Sequence, residues 1–197
     1  MTNIDSIYTP HVLKETSSGF YSFRIEDEMF KTREVQCTGE ITDATCDSLA
    51  MQLRYLNAVD PEKEIKLFVN SPGGEVSSGL AIYDVMKSIT CPIRTICLGM
   101  AASMAAILFI SGDQRDMLPH ARIMIHDPLI ANFGGSALQV KSLSDDLLRT
   151  REITGSILAE HTGRTLEEIF EATSKDTYFS AEEAVSYGMA DRIITTV

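Results

Sequence analysis

The chain has 197 residues and a mass of 21.7 kDa, which is the size of one domain with a substantial core. Apolar residues make up 44% and charged residues 23%, a globular composition rather than a disordered one. The formal net charge of −11 argues against nucleic acid or an anionic membrane as the main partner. The first residues lack the basic and apolar segments of a signal peptide, and the longest uncharged stretch, 95–112, is interrupted by glycine and serine. We therefore expect neither a targeting segment nor a membrane-spanning helix.

The four cysteines form no C-x-x-C pair, and the four histidines do not stand at zinc-ligand spacing from them. We therefore expect Cys37, Cys46, Cys91 and Cys97 to be buried free thiols, and we expect no metal and no cofactor.

Strand-forming and helix-forming segments alternate along the chain. The predicted strands are 35–38, 65–70, 93–98 and a segment that ends at His126. The predicted helices include 43–57, 102–110 and, between them, one with Val76, Leu80, Tyr83 and Met86 against the core. A long amphipathic helix is predicted over 136–161, and Gly163 ends it. Two further helices begin with capping boxes at 165–168 and 180–183, and Gly188 closes the last. Repeated strand–helix units predict a mostly parallel sheet with helices packed around it.

Two glycine-containing segments follow predicted strands. In N-S-P-G-G, residues 70–74, Pro72 fixes one dihedral and the glycines permit conformations that other residues resist. Such a turn can leave backbone N–H groups free to form one half of an oxyanion hole, or it can be only a tight turn. In G-M-A-A-S-M-A, residues 99–105, Ser103 lies at the first turn of a helix, where N–H groups and the dipole favour negative charge. The alternative is that Ser103 is a plain N-cap.

The remaining polar candidates lie farther along the chain. His126 ends a strand, and Asp127 beside it should point to the opposite face. Asp176, in a loop between two capped helices, is the better partner if its carboxylate turns inward. A Ser–His–Asp triad is one interpretation among several, because the chain contains many serines and aspartates.

A resemblance narrows these alternatives. The segments N-S-P-G-G, G-M-A-A-S-M-A, M-I-H-D-P-L and K-D-T-Y-F-S-A-E-E-A-V-S-Y-G-M-A-D-R-I occur in this order, and the chain resembles the ClpP family of serine peptidases from about residue 11 to residue 194. The resemblance implies an α/β, ClpP/crotonase-like spiral of β-α-β units forming a single domain, 1–197. Within it, 1–24 would be the N-terminal axial hairpin region and 131–162 a protruding handle.

The resemblance also implies site roles. Ser103 is the expected nucleophile, His126 the general base and Asp176 the group that orients the histidine. The N–H groups of Gly73 and Met104 are the expected oxyanion donors. The implied reaction is hydrolysis of peptide bonds through an acyl-enzyme.

The family's assembly is implied in the same way. Two stacked seven-membered rings would enclose the active sites in the cytoplasm, and an extended substrate would add as a strand beside Gly74 and Leu129. An AAA+ unfoldase of the Clp type would deliver unfolded polypeptides. The chain has no G-x-x-x-x-G-K motif, so the partner would hydrolyse the ATP.

The chain departs from the family pattern at three places. Lys66 and Ser88 stand where the family usually has aromatic or apolar residues in the unfoldase-docking groove, although Phe68 remains, so docking is weakened or the groove is merely reshaped. Ser174 and Lys175 replace an acidic residue and an arginine before Asp176, which predicts a less stable active assembly.

The third departure is the loop after His126, where H-D-P-L-I-A replaces H-Q-P-L-G-G. The added Asp127 is expected to disfavour acidic substrates. Together the departures suggest a divergent second isoform that works in mixed rings with a more typical subunit.

Two rival functions stay open. One is a low-activity or structural ring subunit. The other is a crotonase-type acyl-CoA hydratase or isomerase, which shares the fold plan and a two-amide oxyanion hole but needs no Ser–His–Asp set. A pure binding module is disfavoured, because it would not need Ser103, His126 and Asp176 together.

Overall fold

The computed structural model describes residues 11–130 and 134–197. The strands are β1 (His11–Thr16), β2 (Gly19–Arg24), β3 (Glu34–Ile41), β4 (Ile65–Gly74), β5 (Ile93–Ala102), β6 (Gln114–Met117), β7 (Arg122–Ile125), β8 (Thr177–Phe179) and β9 (Arg192–Ile193). The helices are α1 (Ile25–Lys31), α2 (Asp43–Val59), α3 (Val76–Ser88), α4 (Met104–Ile110), α5 (Ala137–Thr162), α6 (Leu166–Thr173) and α7 (Ala181–Tyr187). No helix within these two ranges is long and apolar enough to cross a membrane.

The main sheet follows the order β3-β4-β5-β6-β9, with all neighbouring strands parallel. Strand β5 changes partner along its length: residues 94–97 pair with β6, and residues 100–102 pair with β7. Strand β8 then pairs antiparallel with β7. The predicted mostly parallel sheet with helices around it is confirmed, and the switch of partner at β5 brings the ends of β5, β7 and β8 together.

The core lies between the sheet and helices α2, α3 and α4. Every residue of α4 is buried, and Leu49, Leu53 and Leu56, which recur at helical spacing in α2, lie in the core. The face predicted for α3 is confirmed: Met86 is buried, and Val76, Leu80 and Tyr83 are half-buried and pack against the core. Ser78, Gly79 and Ile82 are buried as well.

Close helix packing explains why small residues of α3 are buried too. A Cβ added to Gly79 would lie 2.5 Å from Cε of Met104, so α3 turns its small residues toward α4.

Strand β6 has no counterpart in the predicted elements because its sequence, Q-R-D-M, is polar. The side chain of Asp116 is nevertheless fully buried and is bonded by Arg94 and Arg192. Burial alone raises the pKa of this carboxyl, but hydrogen bonds from Arg192, Arg94 and Gln114 outweigh burial and hold the pKa below its ordinary value. The strand therefore exists because its charge is compensated inside the sheet.

Several predicted boundaries change. N-S-P-G-G is not a sharp turn after β4 but the end of β4 itself, which stays paired with β3 up to Gly74 opposite Ile41. The helix predicted to begin at Ala102 begins at Met104. The long helix is confirmed: Ser136 and Gln139 form its capping box, and Gly163 ends it with φ +72°.

The capping boxes at Thr165–Glu168 and Ser180–Glu183 are confirmed as the starts of α6 and α7. The hairpin expected near the start is formed by β1 and β2, with its turn at residues 17–18. Residues 1–10 of the expected axial region and 131–133 of the expected handle lie outside the described residues.

The four cysteines are free thiols, as predicted, but Cys46 is half-buried. Burial raises the pKa of the Cys37 thiol to about 11 and that of Cys97 to about 12.

Candidate active site

Ser103 joins the end of β5 to the start of α4 in an unusual backbone conformation. Its φ of +53° and ψ of −123° put a non-glycine residue in sparsely populated space. Its side chain makes no capping hydrogen bond, so the structure does not support the plain N-cap interpretation. The backbone instead donates from the Ser103 N–H to the carbonyl of Met124 in β7, at 2.8 Å. This bond holds Ser103 at the carboxyl end of β5, beside β7.

His126 follows β7 directly. Because β7 pairs with β5 up to Ala102 opposite Met124, Ser103 lies one residue and His126 two residues beyond the end of this ladder, and the two are neighbours in space. Nε2 of His126 lies 2.9 Å from Oγ of Ser103, and the histidine side chain is 17% exposed. If the hydroxyl donates, Nε2 accepts and the ring carries its proton on Nδ1.

Asp176 comes to His126 through the antiparallel ladder of β7 and β8. The last register pair is Ile125 opposite Thr177, so His126 and Asp176 are the next pair outward. Nδ1 of His126 and Oδ1 of Asp176 lie 3.5 Å apart, longer than a good hydrogen bond. The Asp176 side chain is 61% exposed, so the expectation that this carboxylate turns inward is wrong for the chain by itself. It stands at the sheet edge, directly before the three-residue strand β8.

The two predicted oxyanion donors lie beside Ser103. A Cβ added to Gly73 would approach the carbonyl oxygen of Ala102 at 2.5 Å, and its φ of +90° is also in glycine space. The N–H of Gly73 is bonded to Oγ of Ser71 at 3.1 Å. The N–H of Met104 is the first of α4, so no helix carbonyl can accept from it.

A narrow cleft adjoins the Ser103 hydroxyl, with a volume of about 20 Å³. Besides Ser103 and His126, its lining is mostly apolar: Val76, Met104, Ile107, Ile125, Pro128, Thr154 and Leu158. The sequence interpretation missed this cleft, because most of these residues lie on segments whose apolar faces were assigned to the core. No pattern in the sequence distinguishes a cleft-lining apolar residue from a core one.

Asp127 does point away from His126, as strand geometry predicts. Its carboxylate accepts from Nε of Arg151 at 2.7 Å and from the hydroxyl of Thr173 at 2.6 Å. Pairing with an arginine of α5 offsets the charge of this carboxylate, so it weakens the reason to expect that Asp127 disfavours acidic substrates, which stays a prediction.

The three positions expected to dock an unfoldase differ in their contacts and exposure. Nζ of Lys66 lies 3.6 Å from a carboxylate oxygen of Glu34, Phe68 is only 6% exposed, and the hydroxyl of Ser88 donates to the carbonyl of Val85 at 2.9 Å. Phe68 therefore offers little apolar surface on this chain.

Of the two residues expected beside an extended substrate, Leu129 is 65% exposed. Gly74 is already paired on one side, where it lies opposite Ile41 of β3.

An α/β sheet that places a serine hydroxyl in hydrogen-bond contact with a histidine, beside a helix N-terminus and an apolar cleft, has the features of a hydrolase. Comparison with known families makes the assignment specific. Residues 17–197 match the family model described as Clp protease, and the chain belongs to that family. Family membership makes the chain a peptidase of the proteolytic-subunit type and disfavours the acyl-CoA alternative.

Proposed function

We propose that the chain is a serine-type endopeptidase in which Ser103 is the nucleophile, His126 the general base and Asp176 the residue that orients the histidine. The observation that carries the proposal is the 2.9 Å contact between Oγ of Ser103 and Nε2 of His126. The strained backbone of Ser103 adds support, since such strain concentrates at functional sites.

The reaction follows from these positions. As Oγ of Ser103 attacks a peptide carbonyl, Nε2 of His126 takes its proton. The oxyanion accepts hydrogen bonds from the N–H groups of Met104 and Gly73, and the Gly73 N–H must turn from Ser71 or be shared with it. His126 then protonates the leaving amine, and a water activated by the same nitrogen cleaves the acyl-enzyme.

The contact between His126 and Asp176 must shorten for full activity. A good hydrogen bond needs an approach of about 0.6 Å from the observed 3.5 Å. Catalytic hydrogen bonds often tighten only when substrate binds, so the observed distance is compatible with the role. Covering of the exposed Asp176 by a neighbouring subunit would act in the same direction.

The substrates proposed are unfolded polypeptides and peptides, and the mostly apolar lining beside Ser103 favours cleavage after apolar side chains. Clp proteases generally form stacked rings with Clp ATPases, and we extend this arrangement to the chain as two heptameric rings served by an AAA+ unfoldase in the cytoplasm. Lys66 and Ser88 favour weakened docking, and mixed rings with another isoform would supply a stronger docking surface.

An activity-based probe tests the proposal directly. A fluorophosphonate should label the wild-type chain and the Ser186→Ala control, whose serine is exposed on α7, but not Ser103→Ala. Hydrolysis of a fluorogenic peptide should fall by about 10⁴-fold or more in Ser103→Ala. Labelling that persists in Ser103→Ala would refute the assignment.

The structural-subunit alternative draws on the exposed Asp176 and its long distance to His126. Native mass spectrometry with the same probe separates the two: homo-oligomeric rings that are labelled and hydrolyse peptide exclude a purely structural role. Mixed rings in which only the other isoform takes the label support it.

A further inference from the structure

Asp127, the residue after His126, is joined to the end of α6 by two hydrogen bonds. The backbone N–H of Asp127 donates to the carbonyl of Thr173 at 2.7 Å, and the Thr173 hydroxyl donates to Oδ1 of Asp127 at 2.6 Å. Thr173 is 3% exposed, so these bonds are shielded from competing water.

Asp127 and Thr173 lie close in the chain to two members of the proposed triad, His126 and Asp176. Asp127 follows His126 directly, and Thr173 precedes Asp176 by three residues. The direct contact between His126 and Asp176 is long and solvent-exposed, so it can do little to set their separation. The Asp127–Thr173 link and the short β7–β8 ladder therefore set the distance between imidazole and carboxylate.

Arg151 of α5 completes the cluster. Its Nε donates to Oδ2 of Asp127 at 2.7 Å, and its guanidinium lies 3.7 Å from the centre of the Phe170 ring in α6. The Arg151 and Asp127 side chains are only 28% and 33% exposed, so this pair is better shielded than an ordinary surface ion pair. One arginine thus binds the segment after His126 and the helix that leads to Asp176.

We propose that Asp127 and Arg151 are positioning residues for the peptidase reaction: they hold His126 and Asp176 in register and make the geometry of the triad depend on the position of α5. This inference rests on the proposed function. Neither residue touches the reacting atoms, so both act on the rate of the chemical steps and not on binding of the substrate.

The test compares Asp127→Asn and Arg151→Gln with the control Arg164→Gln. Arg164 has similar surroundings, with Glu168 as its ion-pair partner, Tyr187 beneath its guanidinium and backbone carbonyls as acceptors, but it does not join the two triad arms. A misplacement near 1 Å costs about 10²-fold in rate, so kcat should fall about 10- to 100-fold in both test variants while KM stays within about twofold. The rate of Ser103 labelling by a fluorophosphonate should be measured in parallel.

Two further variants separate positioning from folding. Arg151→Lys keeps the charge and should recover part of the lost kcat, and the double variant Asp127→Asn/Arg151→Gln should lose no more than the worse single variant. Arg164→Gln should lower the melting temperature without lowering kcat.

The inference is overturned if the test variants keep the wild-type kcat and labelling rate, or if Arg164→Gln loses as much kcat at equal thermal stability. A wild-type chain in which Ser103 takes no label would instead refute the proposed function, and the inference would fall with it.

Discussion

Gly73→Ala is the substitution that most sharply tests the geometry around Ser103. The new Cβ would lie 2.5 Å from the carbonyl oxygen of Ala102 and 2.7 Å from Cβ of Ser103. These are backbone and near-backbone atoms, so no flexible side chain can move aside. We expect a folded protein with a displaced Ser103 and a damaged oxyanion site.

The magnitude follows from two effects. A φ of +90° costs an alanine about 1–2 kcal/mol of stability. Ordinary contact begins near 3.4 Å, so the Ala102 carbonyl must retreat by about 0.9 Å, and it carries Ser103 with it. A displacement of that size in the reacting groups lowers kcat/KM by about 10²-fold.

Gly39→Ala is the matched control. Gly39 also has a positive φ, +75°, but a Cβ there would meet nothing within 4 Å among the described residues. Both variants should therefore lose stability from the positive φ, with a further loss in Gly73→Ala from the clash, while only Gly73→Ala loses fluorogenic peptide hydrolysis and fluorophosphonate labelling. Equal activities in the two variants would refute the placement of Gly73 against the nucleophile.

Three further outcomes are expected. Asp116→Asn removes the negative charge that Arg94 and Arg192 pair with, so the free energy of unfolding at pH 7 should fall by about 3 kcal/mol in urea titrations. Because the folded pKa of Asp116 lies below its unfolded value, the wild type holds this stability above about pH 4 and loses it as the pH falls through the folded pKa, and the variant should lose less on acidification; equal pH dependence would contradict this. At pH 8, Ellman's reagent should modify the half-buried Cys46 before Cys37, whose pKa is about 11; simultaneous reaction in the folded protein would count against the buried position. Thr154→Phe should narrow the cleft and lower kcat/KM about 10-fold or more for leucine before the cut bond but less for alanine, and equal losses would show that the cleft does not hold that side chain.

The sheet and most helices could be predicted because their signals are local. Apolar periodicity identified α2, and capping residues identified the starts of α6 and α7. Strand β6 could not be predicted, because Asp116 is acceptable inside a sheet only when Arg94 and Arg192 arrive from distant segments. The burial of Ser78 and Gly79 in α3 could not be predicted for the same reason, since it depends on how closely Gly79 approaches α4.

The candidate site divides in the same way. Motifs indicated Ser103, His126 and Asp176, and the strand ladders place them side by side. The partners of Asp127 could not be predicted, because Arg151 and Thr173 are 24 and 46 residues away from it along the chain. A single sequence shows that a carboxylate follows the histidine but not what neutralises it.

The two contacts of His126 differ in how they are built, and this difference predicts a dependence on assembly. The contact with Ser103 extends the parallel pairing of β5 and β7, whose apolar residues Ala101, Ala102 and Ile123 are at most 1% exposed. The contact with Asp176 extends a three-residue edge strand and ends on a carboxylate that is 61% exposed. A neighbouring subunit that covers this carboxylate would exclude water and strengthen its attraction to the imidazole. The labelling rate per subunit should therefore rise with protein concentration in step with assembled mass, and a rate that stays constant on dilution to monomer would show that the chain alone sets this contact.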